Sequence, residues 1–405
     1  MTALPTKSSG PLTGVRILDM TSVICGAYAT QMLGDLGADI IKVEFSAENS
    51  KNGGDIMRWA GTVPEGAPAD LGPIYMTINR NKRSVLLDAR NPDDAKTLRQ
   101  IIKTCDAFAV SVRYDGLKRL GLDFDSVKEI KPDIVYVHCA GYGASGDYRG
   151  EPAYDDLIQS ISGMADINNC AEDNEDLKYV PSVMADKVSG HFMTQAVLAA
   201  LFHQCRTGEG QFVEVPMFEC MTTFNLAEHL FGHVYDPPTG QWTYSRVANP
   251  FRNPFPTKDG HIGLLPYTDQ QWITFFAAVG CGDTHGRDPR FSTYADRQQN
   301  IRELYALLRQ ITVTKTTQEW LDILKPHSMP VARTNRIEDL MDDPHLKSVG
   351  LFERYVHPEA GAYFSMRPPV NYSKTPANIY RHPPRLGEHT DEVLKELSEN
   401  SQGSR

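Results

Sequence analysis

In PSVMADKVSGHFMTQAVLAALF (residues 181–202) an aspartate, Asp186, stands just ahead of a long apolar run. The small residues Ser189 and Gly190 follow it within about one helical turn. A carboxylate at the start of a helix can cap the free amides of the first turn, which is worth about 1 kcal/mol. It can also act as a nucleophile that carries covalent acyl intermediates. On its immediate neighbours alone, Asp186 reads as a helix cap. A second set of chemistry-bearing residues is basic. Lys42 lies in an apolar run, Arg83 and Arg90 flank another, and Arg113 and Arg119 follow a third. In open parallel sheets ligands bind outside the carboxyl ends of the strands. Arg90, Arg113 and Arg119 could therefore converge on a phosphate-bearing ligand, whose oxygens match the guanidinium fork. The plainer reading is three surface arginines.

Other patterns are weaker. GYGASG (141–146) matches G-x-G-x-x-G and follows a strand-like run, but DYRGEP comes next and does not read as the helix that would hold a pyrophosphate. It is read as a glycine-rich turn that a ligand can approach closely. EHLFGH spaces His229 and His233 four apart, without HExxH or an evident third ligand, so no metal is expected. No G-x-S-x-G elbow and no GxxxxGK[ST] loop is present, which argues against a serine hydrolase and a P-loop NTPase. The seven cysteines, at 25, 105, 139, 170, 205, 220 and 281, form no CxxC pair, and reduced thiols are expected.

The elements that must carry these residues alternate. VRILDM (15–20), ADIIKVE (38–44), RSVLLD (83–88), AFAVSV (107–112) and IVYVHCAGYG (134–143) read as strands. Helical segments at 26–38, 92–105 and in FDSVKEIK fall between them, which predicts a parallel sheet covered on both faces. Asn91 suits an N-cap, Pro92 the first helical position, and Asp93 and Asp94 the first turn. Further helices are predicted over 187–205 and 217–235, and a strand in QFVEVPM. The acidic run 170–179 reads as a solvated loop. The segment 236–256, rich in Pro, Asn and aromatics, reads as a linker or lid. The expected division is a large α/β domain over 1–216, a crossing segment over 217–256, a small α+β domain over 257–325, and a return to the large domain over 326–405.

With 405 residues, 41% hydrophobic and 23% charged, the chain has ample material for two or three cores. A net charge of -10 argues against a nucleic-acid partner. No signal peptide and no membrane span is visible, so a cytoplasmic protein is expected.

Several stretches together resemble the class III CoA-transferase family (CaiB/BaiF type), which includes formyl-CoA transferase and carnitine CoA-transferase. They are PLTGVRILDMTSVICGAYATQMLGDLGADIIKVE, NRNKRSVLLD, GLKRLGLDFDSVKEIKPDIVYVHCAGYG, PSVMADKVSGHFMTQAVLAALFHQCRTGEGQFVEVPMFE and LGEHTDEVLKEL. The resemblance runs from about residue 11 to 396 and is weakest over 236–256. It implies a doubly wound, Rossmann-like α/β large domain, a smaller α+β domain and an interlocked homodimer. The implied substrates are an acyl-CoA and a free carboxylic acid, with coenzyme A as thioester substrate and no other cofactor. By resemblance Asp186 falls on the family's catalytic aspartate, and Val23, Ile24 and Cys25 fall where the first βα loop meets CoA. Arg90 and Arg119 fall on basic CoA contacts, Ser111, Val112 and Arg113 at the adenine edge, and Ala140 and Tyr142 in a loop facing the ligand. The chain departs from formyl-CoA transferase at Ile24, in place of a glutamine, and at Ala140, in place of a lysine. It also lacks that enzyme's glycine-only loop. The implied reaction is CoA transfer through covalent aspartyl intermediates. Two alternatives remain: an α-methylacyl-CoA racemase, whose histidine position here reads Tyr154, and a catalytically silent CoA-binding subunit of a hetero-oligomer.

Overall fold

The computed structural model describes residues 4–45, 52–170 and 176–403. The acidic run is thus only partly described, since residues 171–175 lie outside. In chain order the elements begin β1 (Arg16–Met20), α1 (Cys25–Asp35), β2 (Asp39–Glu44), α2 (Pro73–Ile78), β3 (Lys82–Leu86), α3 (Pro92–Lys103) and β4 (Ala107–Val110). They continue α4 (Tyr114–Leu120), α5 (Phe124–Ile130), β5 (Val135–Ala140), α6 (Asp155–Ile161), α7 (Met164–Cys170), α8 (Met184–Thr207), β6 (Gln211–Pro216) and α9 (Met217–His229). Then come β7 (Phe255–Pro256), β8 (His261–Leu264), α10 (Asp269–Ala278), α11 (Tyr294–Gln299), α12 (Ile301–Thr312), α13 (Thr317–Leu324) and β9 (Val331–Arg333). The chain closes with α14 (Pro344–Ser348), β10 (Phe352–His357), β11 (Gly361–Met366) and α15 (Thr390–Gly403). No helix among the described residues is long and apolar enough to cross a membrane.

The chain divides into two compact units, one made of 1–162, 182–224 and 344–405, the other of 163–181 and 225–343. The first unit is built on a six-stranded sheet in the order β3-β2-β1-β4-β5-β6, with every pair parallel. Strands such as β4, buried along its whole length, need cover on both faces, which helices supply. Phe108 and Tyr136 pack with Leu98, Ile101 and Ile102 of α3 and with Val393 and Leu397 of α15. The start of α3 is fixed locally, because the Asn91 side chain accepts from the amides of Asp93 and Asp94 and Pro92 needs no partner for its nitrogen.

One region of this core is charged. Asp19, Lys42 and Lys82 on β1, β2 and β3 are fully buried, and Arg58 joins them. Lys82 Nζ pairs with Asp19 at 3.1 Å, and Arg58 Nη2 with Glu44 at 2.6 Å. Burial alone would raise the Asp19 pKa, but Lys82, Lys42 and the hydroxyls of Thr21 and Thr30 outweigh it and hold it at about 2.

The edge strand β3 is clasped by the C-terminal segment. Its Ser84 and Leu86 amides donate to His389 Nδ1 (3.3 Å) and Thr390 Oγ1 (3.0 Å). Arg83, read above as flanking a strand, is a buried hub that pairs with Asp39, Glu392 and Glu396. These bonds occupy groups that a bare edge would offer to another chain.

The second unit carries the antiparallel sheet β7-β8-β9. Its core gathers Phe255, Ile262, Trp272, Phe275, Phe276 and Trp320. Capping boxes at Thr268 with Gln271, Thr293 with Asp296 and Thr316 with Glu319 start three of its helices. Residues 235–254 hold turns and bends without a regular element.

Two predicted boundaries are corrected. The helix expected over 187–205 begins at Met184, so Asp186 lies inside its first turn and is not its cap; Val183 holds that position. The helix expected over 217–235 ends at His229, and a separate 3-10 turn covers Phe231–Val234.

Candidate active site

The strand order reverses between β1 and β4, which makes the crevice beyond their carboxyl ends the natural ligand site of such a sheet. The loops after these strands meet there, where the Ser22 amide donates to Ser111 Oγ at 3.2 Å. Val23 sits at φ 66, a left-handed conformation that a β-branched residue adopts only under constraint. The constraint is visible. Asp55 Oδ1 accepts the Val23 amide at 3.1 Å, and Lys42 Nζ holds both the Thr21 carbonyl (2.7 Å) and Asp55 Oδ2 (3.1 Å). Lys42 is therefore a buried brace behind the loop, while Val23 and Ile24 stay half-exposed in front of it.

Cys25 opens α1 directly after this loop, and its Sγ lies 3.3 Å from Cys139 Sγ near the end of β5. Helix α8 packs against α1 through Gly190, where a Cβ would come within 2.9 Å of the Cys25 carbonyl oxygen. That contact brings the first turn of α8, and with it Asp186, to the same edge of the sheet. Asp186 is 9% exposed. Its amide donates to Asp155 Oδ1 at 3.0 Å, and Asp155, itself buried, accepts from Gln159 Nε2 at 2.6 Å. Burial first, and then the Asp155 charge, push the Asp186 carboxyl up to about 7. The Cys25 thiol is pushed well above its ordinary range by its hydrogen bond with Cys139 and by burial, with Asp186 adding to the effect. Cys220 is pushed up to about 12 by burial and by Cys139. Ser189, three residues after Asp186, is buried, and among the described residues its Oγ has no hydrogen-bond partner.

The structure gathers Val23, Ile24, Cys25, Ser111 and Asp186 at one end of the sheet. Ala140 ends β5 at the same edge and is half-exposed. The Val112 carbonyl bonds His138 Nε2 at 2.9 Å. Tyr142 is packed edge-on against both Tyr148 and Phe218, so its ring belongs to an aromatic cluster. The arginines lie farther out. Arg90 is exposed and turned back onto Asp88 at 2.7 Å, Arg113 is exposed at the N-terminal boundary of α4 without a side-chain capping bond, and Arg119 is exposed on α4.

The GYGASG loop does not cradle an anion. Its Gly143 and Ala144 amides are taken by the carboxylates of Glu219 and Glu214, each at 3.0 Å. A Cβ at 143 would lie 2.4 Å from Glu219 Oε1, so a larger residue there would have to displace that side chain from the Gly143 amide. His229 Nδ1 accepts the Tyr244 amide, and His233 stacks on Trp242 at 4.1 Å. Among the described residues no group of three His, Cys, Asp or Glu is arranged to hold a metal ion.

Sequence reasoning overlooked Asp155, Gln159 and Cys139. PAYDD offered Asp155 next to Tyr154, but only the fold shows which of the two turns inward: Tyr154 is 65% exposed while Asp155 is buried. The i, i+4 spacing of Asp155 and Gln159 was the local sign that they share a helix face.

Similarity to known proteins covers the whole of this architecture. Residues 12–390 match CoA-transferase family III. A succinate–glutarate CoA-transferase from Agrobacterium fabrum is 30% identical over 98% of this chain and 98% of its own length. A human succinyl-CoA:glutarate CoA-transferase is 29% identical over 96% of this chain and 86% of its own. Among solved structures, a CaiB/BaiF family protein from Brucella suis superposes with a TM-score of 0.79 at 26% identity, covering 96% of this chain and 100% of that one. With the match spanning nearly its whole length, the chain belongs to CoA-transferase family III and is a class III CoA-transferase.

Proposed function

We propose that this enzyme moves CoA from an acyl-CoA to a free carboxylic acid through covalent intermediates on Asp186. The observation that carries this reading is the buried Asp186 carboxyl group, whose amide is held by Asp155, set beside the loop at the switch point of the sheet. In the first step an Asp186 oxygen attacks the thioester carbonyl, the C–S bond breaks, and a mixed anhydride and CoA thiolate result. The thiolate then attacks the aspartyl carbonyl and expels the donor carboxylate, leaving an aspartyl-CoA thioester. The acceptor carboxylate attacks this thioester and releases the thiolate. The thiolate attacks the acceptor carbonyl of the new anhydride, giving the new acyl-CoA and free Asp186. No net proton moves, and the activation of the thioester is passed on at each stage.

The surroundings suit this role. A carboxylate raised to about 7 is more basic, and hence more nucleophilic, than an ordinary one. Acylation also removes a buried negative charge from beside Asp155, so the strain of the ground state is relieved as the anhydride forms. Cys25 stays a neutral thiol and does not compete with the aspartate. Asp155 acts as a positioning residue by holding the Asp186 amide. CoA would lie across Val23, Ile24 and Cys25, with Ala140 and Tyr142 near its reactive end, Ser111, Val112 and Arg113 at the adenine, and Arg90 and Arg119 at its phosphates. Binding energy from that remote nucleotide can hold the thioester for attack. The similarity to succinate and glutarate enzymes supports short dicarboxylic acids as donor and acceptor. The working form is proposed to be an interlocked homodimer in the cytoplasm.

The test is a panel of acyl-CoA donors, succinyl-CoA among them, against carboxylic acids including glutarate, with wild type and Asp186→Ala side by side. Transfer by the wild type and its loss in Asp186→Ala are expected, with an acyl or CoA mass adduct on the Asp186 peptide. Full transfer by Asp186→Ala sinks the covalent route. Exchange of an α-proton without a second acid would point to the racemase instead.

A further inference from the structure

Hydroxyl groups on the helices of this protein commonly bond their own backbone. Thr30, Thr97, Ser160, Thr194 and Thr207 each donate to the carbonyl four residues back, at 2.9–3.0 Å. That is the bond a serine or threonine inside a helix ordinarily makes. Ser189 in α8 does not make it. The residue is fully buried, and among the described residues its Oγ has no hydrogen-bond partner. A buried donor left without an acceptor costs free energy, so a native fold that keeps one calls for a reason.

Its place on the helix supplies the reason. A buried face of α8 runs through Asp186, Ser189, Gly190, Met193, Thr194 and Val197, spaced three and four residues apart. Gly190 sets that face against α1 at the Cys25 carbonyl. Each Cβ of a helix leans toward the N-terminus, so Ser189 projects over the turn that holds Asp186. The Cβ atoms of such a pair lie about 5–6 Å apart, a gap that an aspartate and a serine can close with one hydrogen bond. The acceptor is there to be met. Burial and the Asp155 charge act on the Asp186 carboxyl, and among the described residues no side-chain donor offsets them. A donor without an acceptor thus lies one turn from an acceptor without a donor. Bonded to the resting carboxylate, the hydroxyl would stabilise the anion and blunt it as a nucleophile. A bond made only as charge moves onto the aspartyl oxygen in the reaction raises the rate instead.

We propose that Ser189 is a catalytic hydrogen-bond donor to the Asp186 carbonyl oxygen, engaged once the aspartate is acylated. When CoA thiolate attacks the aspartyl carbonyl carbon of the anhydride, the C–S bond forms and the carbonyl π pair moves onto the oxygen. Ser189 donates to that oxyanion and keeps its proton. The oxyanion then collapses, the bond to the donor carboxylate breaks, and the aspartyl-CoA thioester remains. Attack of the acceptor carboxylate on this thioester passes through an oxyanion at the same atom, with thiolate leaving, and Ser189 serves it again. This role deepens the covalent route proposed above and rests on it.

The experiment compares wild type with Ser189→Ala and Ser189→Cys, using succinyl-CoA and glutarate or the fastest pair found in the panel above. It measures transfer across pH, thermal unfolding, and the mass of the Asp186 peptide after rapid quenching. Ser189→Ala should lower kcat about tenfold or more, with kcat/KM falling in step, as for a bond made only in the transition state. Its melting temperature should equal or exceed that of wild type, because an orphaned hydroxyl has gone. A merely structural serine would lower the melting temperature. The acid limb of the pH–rate profile should stay in place, since the hydroxyl does not touch the resting carboxylate. Ser189→Cys, similar in size and a weak donor, should fall between, and it carries the test if Ser189→Ala does not fold. The aspartyl-CoA adduct should form more slowly in Ser189→Ala than in wild type. Unchanged kcat in Ser189→Ala, a loss of rate matched by a lower melting temperature, or an acid limb moved to higher pH overturns the proposal. An adduct on Asp186 that forms equally fast in wild type and Ser189→Ala removes this proposal alone. Transfer without any adduct, retained by Asp186→Ala, removes the covalent route and this proposal with it.

Discussion

At the scale of single residues, the site turns on two carboxyl groups, Asp155 and Asp186. The reactive form of Asp186 is the anion, so transfer should climb with pH through about 7. Asp155→Asn keeps an acceptor for the Asp186 amide and removes one cause of the raised pKa. The acid limb of a pH–rate profile should therefore move to lower pH; an unmoved limb would leave Asp155 a merely structural group. The raised pKa also has a cost in stability. A folded pKa above the unfolded one means the native state binds its proton more tightly. Stability from this group is then intact below about pH 4 and declines up to about pH 7, by about 1.4 kcal/mol for each pH unit crossed. Asp186→Asn should accordingly raise the melting temperature at about pH 8 and change it little at about pH 4, as read by calorimetry. Asp186 was legible in the sequence as a carboxylate at a helix start, and the resemblance assigned it chemistry. Its partner was not legible, because facing Asp186 depends on how α6 lies against α8, across 31 residues of chain.

At the scale of elements, the alternating rhythm of strands and helices was readable because β4 and much of β1, β2 and β5 are apolar and α3 between them is amphipathic, even though Asp19, Lys42 and Lys82 put charges inside three of the strands. The Asn91–Pro92 start of α3 was readable for a local reason, a side chain bonding amides two and three residues on. The start of α8 was misjudged because no capping side chain marks it. The strained loop at Val23 was hidden as well, since its brace comes from Lys42 and Asp55 on other segments. The packing of α8 on α1 gives a direct prediction. A methyl group at Gly190 would press on the Cys25 carbonyl, so Gly190→Ala should cost about 1–3 kcal/mol in denaturant unfolding. It should also lower transfer, because the helix that carries Asp186 must move away from the loop.

At the scale of the whole molecule, the chain leaves its first unit, builds most of the second, and returns at residue 344. The composition shift at 236–256 falls inside the second unit, which already includes 163–181 and resumes at 225, and no composition shift marks the return at 344. The last helix is part of the core. Removing residues 390–405 would expose the surfaces that Val393 and Leu397 bury, at about 1.5–3 kcal/mol each, and strip Arg83 of Glu392 and Glu396. Against a typical net stability of about 5–15 kcal/mol, the truncated chain should unfold at much lower urea or be recovered insoluble. The clasp on β3 also bears on how the protein is made. Ser84 waits 305 residues for His389. At roughly 5–20 residues per second on the ribosome, that is roughly 15–60 s. For that interval each nascent chain carries a strand edge without its lock, and neighbouring nascent chains on one message carry the same edge. Slow translation of the stretch between them would lengthen the exposure, so the yield of soluble protein should depend on the speed of synthesis as well as on the stability of the finished fold.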